Sequence, residues 1–273
     1  DQLAAMFFDT RRRAQVRLVC LHRLRVLDRF QPYHPTRGGR EPYHYVLGPM
    51  GAAVVAAERG EDPDRAARRW KGERTLALGR TQRLAHLVGL NGIYASLVAH
   101  ARRHPDTGLA CWLTEAECAK WANAIVRPDA FGEWAEAGSS VEFFVEYDRG
   151  TETLARLAAK LTGYQRFESE RAATAWVLFA FVSAGREAAA RRALADATVP
   201  VATAVLNGGS LGPQDAVWLP VRATGPARLR LAALAHIPKP PEAARRAAEG
   251  GPRAWRFDRS RYDDKEEAPI DTT

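Results

Sequence analysis

The stretch VEFFVEYDRGTETLARLAAKLTGY, residues 141–164, decides how the rest of the chain is read. Val141, Phe143 and Val145 alternate with Glu142, Phe144 and Glu146, the period of a strand with a buried side. Asp148 to Thr151 reads as a turn, with Gly150 at the bend and Thr151 as the N-cap of the next helix. Leu154, Leu157, Ala158, Leu161 and Tyr164 then recur at helical spacing. Glu146 and Asp148 stand two apart on the strand, so both project to one face. Two carboxylates side by side repel unless a cation lies between them, and a divalent metal, Arg149 or Lys160 would each serve. A solvated strand end with a surface salt bridge is the plainer alternative.

Downstream, TAWVLFAFVS (174–183) is a continuous apolar run of strand length, the pattern of a centrally buried strand. REAAARRALADA (186–197) reads as a helix, VPVATAVL (199–206) as another buried strand, and AVWLPV (216–221) as an edge strand restricted by Pro220. Upstream, an amphipathic helix is predicted from about Thr81 to Arg103, then a strand LACWLTE (109–115) with Glu115 and Glu117 at its end. Pro128-Asp129 falls on a short turn or a strand start. Strands alternating with helices predict a layered domain with a central mixed sheet over residues 81–237. Residues 238–273 read as an extended C-terminal tail that docks on a partner, and 61–80 as a charged linker with some helix.

The first 60 residues read differently. Thr10 is a good N-cap for RRRAQVRLVCLHRLRVL, a helix with Val16, Val19, Cys20, Leu24 and Leu27 predicted on its packed side. Arg11, Arg12, Arg13, Arg17 and Arg25 lie largely away from that stripe. Two strands, LDRFQPYH and YHYVL, flank the Gly-rich turn PTRGGREP, which puts Arg37 and Arg40 at the tip; Pro49 then opens another helix. Helix, basic helix and two-stranded ribbon is the order of a winged helix-turn-helix, in which the second helix enters the major groove. Residues 1–50 hold nine arginines against four acids, so most of the net charge of +8 sits on this head. Arginines there would contact phosphates and one or two base edges of double-stranded DNA.

Length and composition agree with one large or two medium domains. A sequence pI of about 9.7 favours a polyanionic partner. Cys20, Cys111 and Cys118 show neither a disulfide framework nor zinc spacing, and read as reduced thiols of a cytoplasmic protein. No apolar run of membrane-spanning length and no signal peptide stand out, so no membrane partner is expected. The chain opens at Asp1-Gln2-Leu3, without a Met, which leaves open what precedes it. Nucleophile triads, phosphate-cradling loops and zinc motifs are absent as recognisable patterns.

LDRF, YHYVLGPMGA, LAHLVGLNGIY, RPDA, VEYDRGTE and KLTGY, in this order, resemble the actinobacterial replication-relaxation family over roughly residues 2–190. The resemblance implies an α+β chain: an N-terminal winged helix-turn-helix (1–60), then an α/β domain resembling the PD-(D/E)xK nuclease fold. It implies a role in replication or maintenance of a plasmid or integrative element, with other element-encoded proteins as possible partners. In the PD-(D/E)xK pattern, Asp129 and Glu146 would hold Mg²⁺ and Lys160, reaching back from the next helix, would steady developing charge. Asp148 stands where that pattern usually has its lysine, so cleavage is open. A working Mg²⁺-dependent nickase, a non-catalytic DNA-binding module and an assembly protein are the alternatives.

Overall fold

The structure is a computed structural model that describes residues 1–34, 39–72, 77, 81–171, 174–222, 225 and 227–249. Its centre is a six-stranded mixed sheet: β5 (Thr107–Thr114), β6 (Ala130–Glu136), β7 (Ser139–Asp148), β8 (Trp176–Phe181), β9 (Val201–Val205) and β10 (Leu219–Pro220). The strand order is β10-β9-β8-β7-β6-β5. β5, β6 and β7 form an antiparallel meander, β7 to β9 run parallel, and β10 closes the edge antiparallel to β9. The expected α+β class with a central mixed sheet is therefore what the chain adopts.

The apolar run at 174–183 lies where a strand buried on both faces belongs, since every residue of β8 is buried. Val177, Phe179 and Phe181 point to a layer made by α6 (Glu115–Trp121), α7 (Leu154–Arg171) and α8 (Ala184–Ala193). Trp176, Leu178 and Ala180 point the other way, towards α5 (Gln82–Ala101) and the segment around Trp218 and Leu234. Two cores thus sandwich one sheet, as crossover helices require of parallel strands. By length and composition, 83–101 of α5 could cross a membrane, which corrects the expectation that no run reaches that length. In this fold, however, Leu90, Ile93 and Leu97 of that helix pack into the core.

The head consists of α1 (Gln2–Phe7), α2 (Arg11–Arg23), an antiparallel pair β1 (Leu27–Phe30) and β4 (His44–Leu47), the short pair β2 (Tyr33–His34) and β3 (Gly39–Arg40), and α3 (Pro49–Glu58). Thr10 caps α2 as expected, its hydroxyl accepting the Arg13 N–H at 3.2 Å. The packed side of α2 is only in part the expected one, with Val19 and Leu27 partly buried. Val16 and Leu24 are 66% and 59% exposed and Cys20 is exposed, whereas Ala14 is buried and Leu18 and Leu21 partly so. The apolar positions at 14, 18 and 21 keep helical spacing as well, and a helix this basic offers two candidate stripes.

The region 61–80 contributes α4 (Pro63–Arg69), capped by Asp62 and packed on α3. Trp70 comes next, its indole N–H donating to the Leu47 carbonyl at 2.8 Å. The tail is not extended throughout: Pro241–Glu249 forms a helix, α9, against α7. Arg246 holds it there, donating to Glu168 at 2.6 Å and to the Thr198 carbonyl at 2.7 Å. The helix after β7 starts later than expected. Its first turn is capped by Thr153, whose hydroxyl accepts the Arg156 N–H, and not by Thr151.

Candidate functional site

Lys160 meets Glu146 at the carboxyl end of β7, the end of parallel strands where α/β proteins place their ligands, while Asp129 is near enough for its charge to act on Glu146 but makes its own contacts on the α5 side. Asp129 immediately precedes β6, and its N–H donates to the Val145 carbonyl at 3.0 Å. Its carboxylate folds back on β7, where Oδ2 accepts the Tyr147 N–H at 2.7 Å. Oδ1 lies 3.0 Å from His86 Nε2 on α5. Gly89 brings that histidine within reach, because a Cβ there would stand 2.1 Å from the Tyr147 ring. Without one, α5 seats against Tyr147, whose ring meets the His86 imidazole edge-on at 5.6 Å. The hydrogen bond to Asp129 raises the His86 pKa against the opposing effect of burial.

Glu146 points to the other face of the sheet and is 3% exposed. Lys160 and Tyr164, four residues apart on α7, present one face to it. Lys160 Nζ donates to Oε2 at 2.8 Å and the Tyr164 hydroxyl to Oε1 at 2.5 Å. Lys160 also lies 3.1 Å from Glu152. Burial pushes the Glu146 carboxyl up to about 7, and nearby Asp129 adds to this, although Lys160 and Tyr164 pull it back. Burial alone would lower the Lys160 pKa, but Glu146 and Glu152 outweigh it and hold the ammonium charged. His86 and Lys160 are partly exposed, Asp129 less so, and Glu146 hardly at all.

Asp148 shares the face of Glu146 but takes a different cation. Arg186 of α8 donates to its Oδ2 through Nε at 3.0 Å and Nη2 at 2.6 Å. Asp148 also accepts the Gly150 N–H, and Arg186 reaches the Glu152 carbonyl at 2.6 Å. Asp148 therefore clasps the β7–α7 turn to α8. Upstream, Glu117 is used in a capping box with Thr114, and Glu115 lies 3.5 Å from Arg83.

All four carboxylate oxygens of Asp129 and Glu146 already face a protein donor: His86, the Tyr147 N–H, Lys160 and Tyr164. Among the described residues no group of three or more His, Cys, Asp or Glu side chains is placed to hold a metal ion. The ammonium of Lys160 stands where a divalent cation would neutralise Glu146, so the arrangement does not fit the ion unless Lys160 withdraws.

On the head, Arg11, Arg12, Arg13, Arg17 and Arg25 are all exposed. Arg11 pairs with Asp1 and Arg13 with Asp9 at the surface. Arg25 is not on α2 as expected: the helix ends at Arg23, and Arg25 follows in the left-handed region, φ 57°. Arg37 lies outside the described residues; the backbone of Arg40 falls in β3, and its side chain is not described.

Sequence reasoning does not single out His86 or Arg186, and it takes Tyr164 as core. The available signal for His86 is its place in LAHLVGLNGIY, a polar residue three before a glycine on an otherwise apolar helix. Nothing local ties it to a carboxylate 43 positions on.

A family model described as replication-relaxation matches residues 1–177. Neither the curated proteins nor the solved structures contain a match.

Proposed function

We propose, because the chain belongs to the replication-relaxation family, that it is a double-stranded-DNA-binding protein of a plasmid or integrative element, acting in that element's replication or maintenance. The observation that carries this reading is the exposed face of α2. Arg12, Arg13 and Arg17 stand in solvent on a capped helix that precedes a two-stranded ribbon. This is the order and charge of a winged helix-turn-helix reading head. Val16 sits exposed among those arginines, and an apolar side chain at that place suits a thymine methyl. The test is binding to a labelled duplex over a salt series. The native chain is expected to bind with a steep salt dependence. Arg12→Ala and Arg17→Ala are each expected to lower the slope by about 0.9, the value of one phosphate contact. Affinity and slope unchanged in both variants would refute the reading.

A second reading, a Mg²⁺-dependent nickase, is favoured by the Lys160–Glu146 pair at the end of β7 with Asp129 near enough for its charge to act on Glu146. It ranks below the first because protein donors already engage both carboxylates. Supercoiled plasmid incubated with the protein and Mg²⁺ or Mn²⁺ decides it. Nicking that disappears in Asp129→Ala and Glu146→Ala supports the enzyme; nicking that survives both substitutions belongs to a contaminant.

A further inference from the structure

We propose that the cleft between α1 with the α1–α2 turn and the last turn of α5 is a phosphate-binding groove that carries the DNA backbone from the arginine helix onto the sheet domain; this rests on the DNA-binding reading above. The cleft has a volume of about 510 Å³ and is lined by Arg11, Arg102 and Arg103 together with Phe8, Asp9 and Thr10. Its guanidinium groups come from segments about ninety residues apart in sequence. They meet because α1 lies along α5: the Gln2 side chain donates to the Val88 carbonyl at 2.8 Å, and Asp9 pairs with Arg102.

Asp9 shows what the cleft is built to hold. Its carboxylate bridges Arg102 through Oδ1 and Arg13, at 3.3 Å, through Oδ2, while its side chain remains 64% exposed. Two guanidinium groups converging on one anionic group is how arginines grip a phosphate. A surface carboxylate in that position is weakly held and gives way easily to a stronger polyanion. Arg103 is oriented by its Nε, which donates to the Ala99 carbonyl at 3.0 Å, and among the described residues no partner is seen for either Nη. Arg12, Arg13 and Arg17 continue the cationic surface along α2. A backbone grip of this kind carries no sequence information, so it adds affinity equally for any duplex.

The experiment compares Arg102→Ala, Arg103→Ala, Arg103→Lys and Asp9→Asn in the full chain, using two fluorescein-labelled duplexes of unrelated sequence over a salt series. Circular dichroism melts check folding. Each alanine variant is expected to lower the salt slope by about 0.9, which at about 0.1 M salt is a roughly eightfold loss of affinity. Arg103→Lys should retain the slope. Asp9→Asn should bind more tightly than the native chain on both duplexes. If the Arg102 and Arg103 variants keep the native slope while Arg12→Ala lowers it, the groove is refuted and the reading head stands. If the Arg12, Arg17, Arg102 and Arg103 variants all bind like the native chain, both fall. Weaker binding by Asp9→Asn overturns the groove as well, because Asp9 would then be a support and not a stand-in.

Discussion

Replacing Lys160 by Met keeps most of the side chain's stem and removes the ammonium that donates to the buried Glu146. The size of the effect comes from proton linkage. Glu146 has its folded pKa raised to about 7, from an ordinary carboxyl value near 4.5. An acid with a raised folded pKa binds its proton more tightly when folded. Its contribution is therefore fully present below the unfolded value and is lost as pH rises through the folded one. For the native chain that loss is roughly 3 kcal/mol, complete a little above about pH 7. Without Lys160 the folded pKa climbs further and the loss continues. By about pH 8 the variant falls behind by up to about 1.4 kcal/mol more, since one further pKa unit is worth about that much and protonation caps the cost. At about pH 5.5 Glu146 is protonated in both proteins, and only stem packing and one hydrogen bond separate them. Urea denaturation at both pH values measures this, and the double variant Lys160→Met with Glu146→Gln should lose the pH-dependent part. A stability loss equal at the two pH values would refute the charge account and leave only packing.

Gly89→Ala should destabilise the fold by roughly 1–3 kcal/mol, because overpacking against the Tyr147 ring outweighs alanine's better helix propensity; a melt at or above the native temperature would show that α5 does not need that close approach. The buried carboxyl of Glu168 is likewise pushed up to about 7 by burial, against Arg246. Glu168→Gln should accordingly flatten the fall in stability between about pH 4.5 and 7, as read by denaturation across that range. Arg246→Ala should release α9 from α7, since Ala243 is the only apolar side chain that this helix buries among its described residues. Limited proteolysis within 241–249 at native-like melting temperature is the expected sign.

The layered part of this fold is legible because its signals are local and strong. Six apolar residues from Trp176 to Phe181 have nowhere to go but a sheet centre, and the alternation in 141–148 sets which side Glu146 and Asp148 face. The Thr10 cap is likewise a short-range contact. The α2 stripe is only partly legible, because Val16 and Leu24 resemble core residues by type while smaller Ala14 is the one the packing buries. The site is half legible. Asp129, Glu146 and Lys160 can be named because they lie on consecutive elements, and Lys160 does meet Glu146. His86 and Arg186 are supplied by neighbouring helices whose placement depends on the whole sheet, so no spacing in the chain announces them.

α5 touches both the arginine-rich head and the Asp129 carboxylate. Near its last turn Arg102 pairs with Asp9, just ahead of the arginine helix; near its first, His86 meets Asp129. Sixteen residues of α-helix separate those contacts, a stiff strut of about 24 Å. A duplex that displaced Asp9 and drew Arg102 towards its own backbone would tug on one end of that strut, and the imidazole at the other end would be the first group beside the carboxylates to feel it.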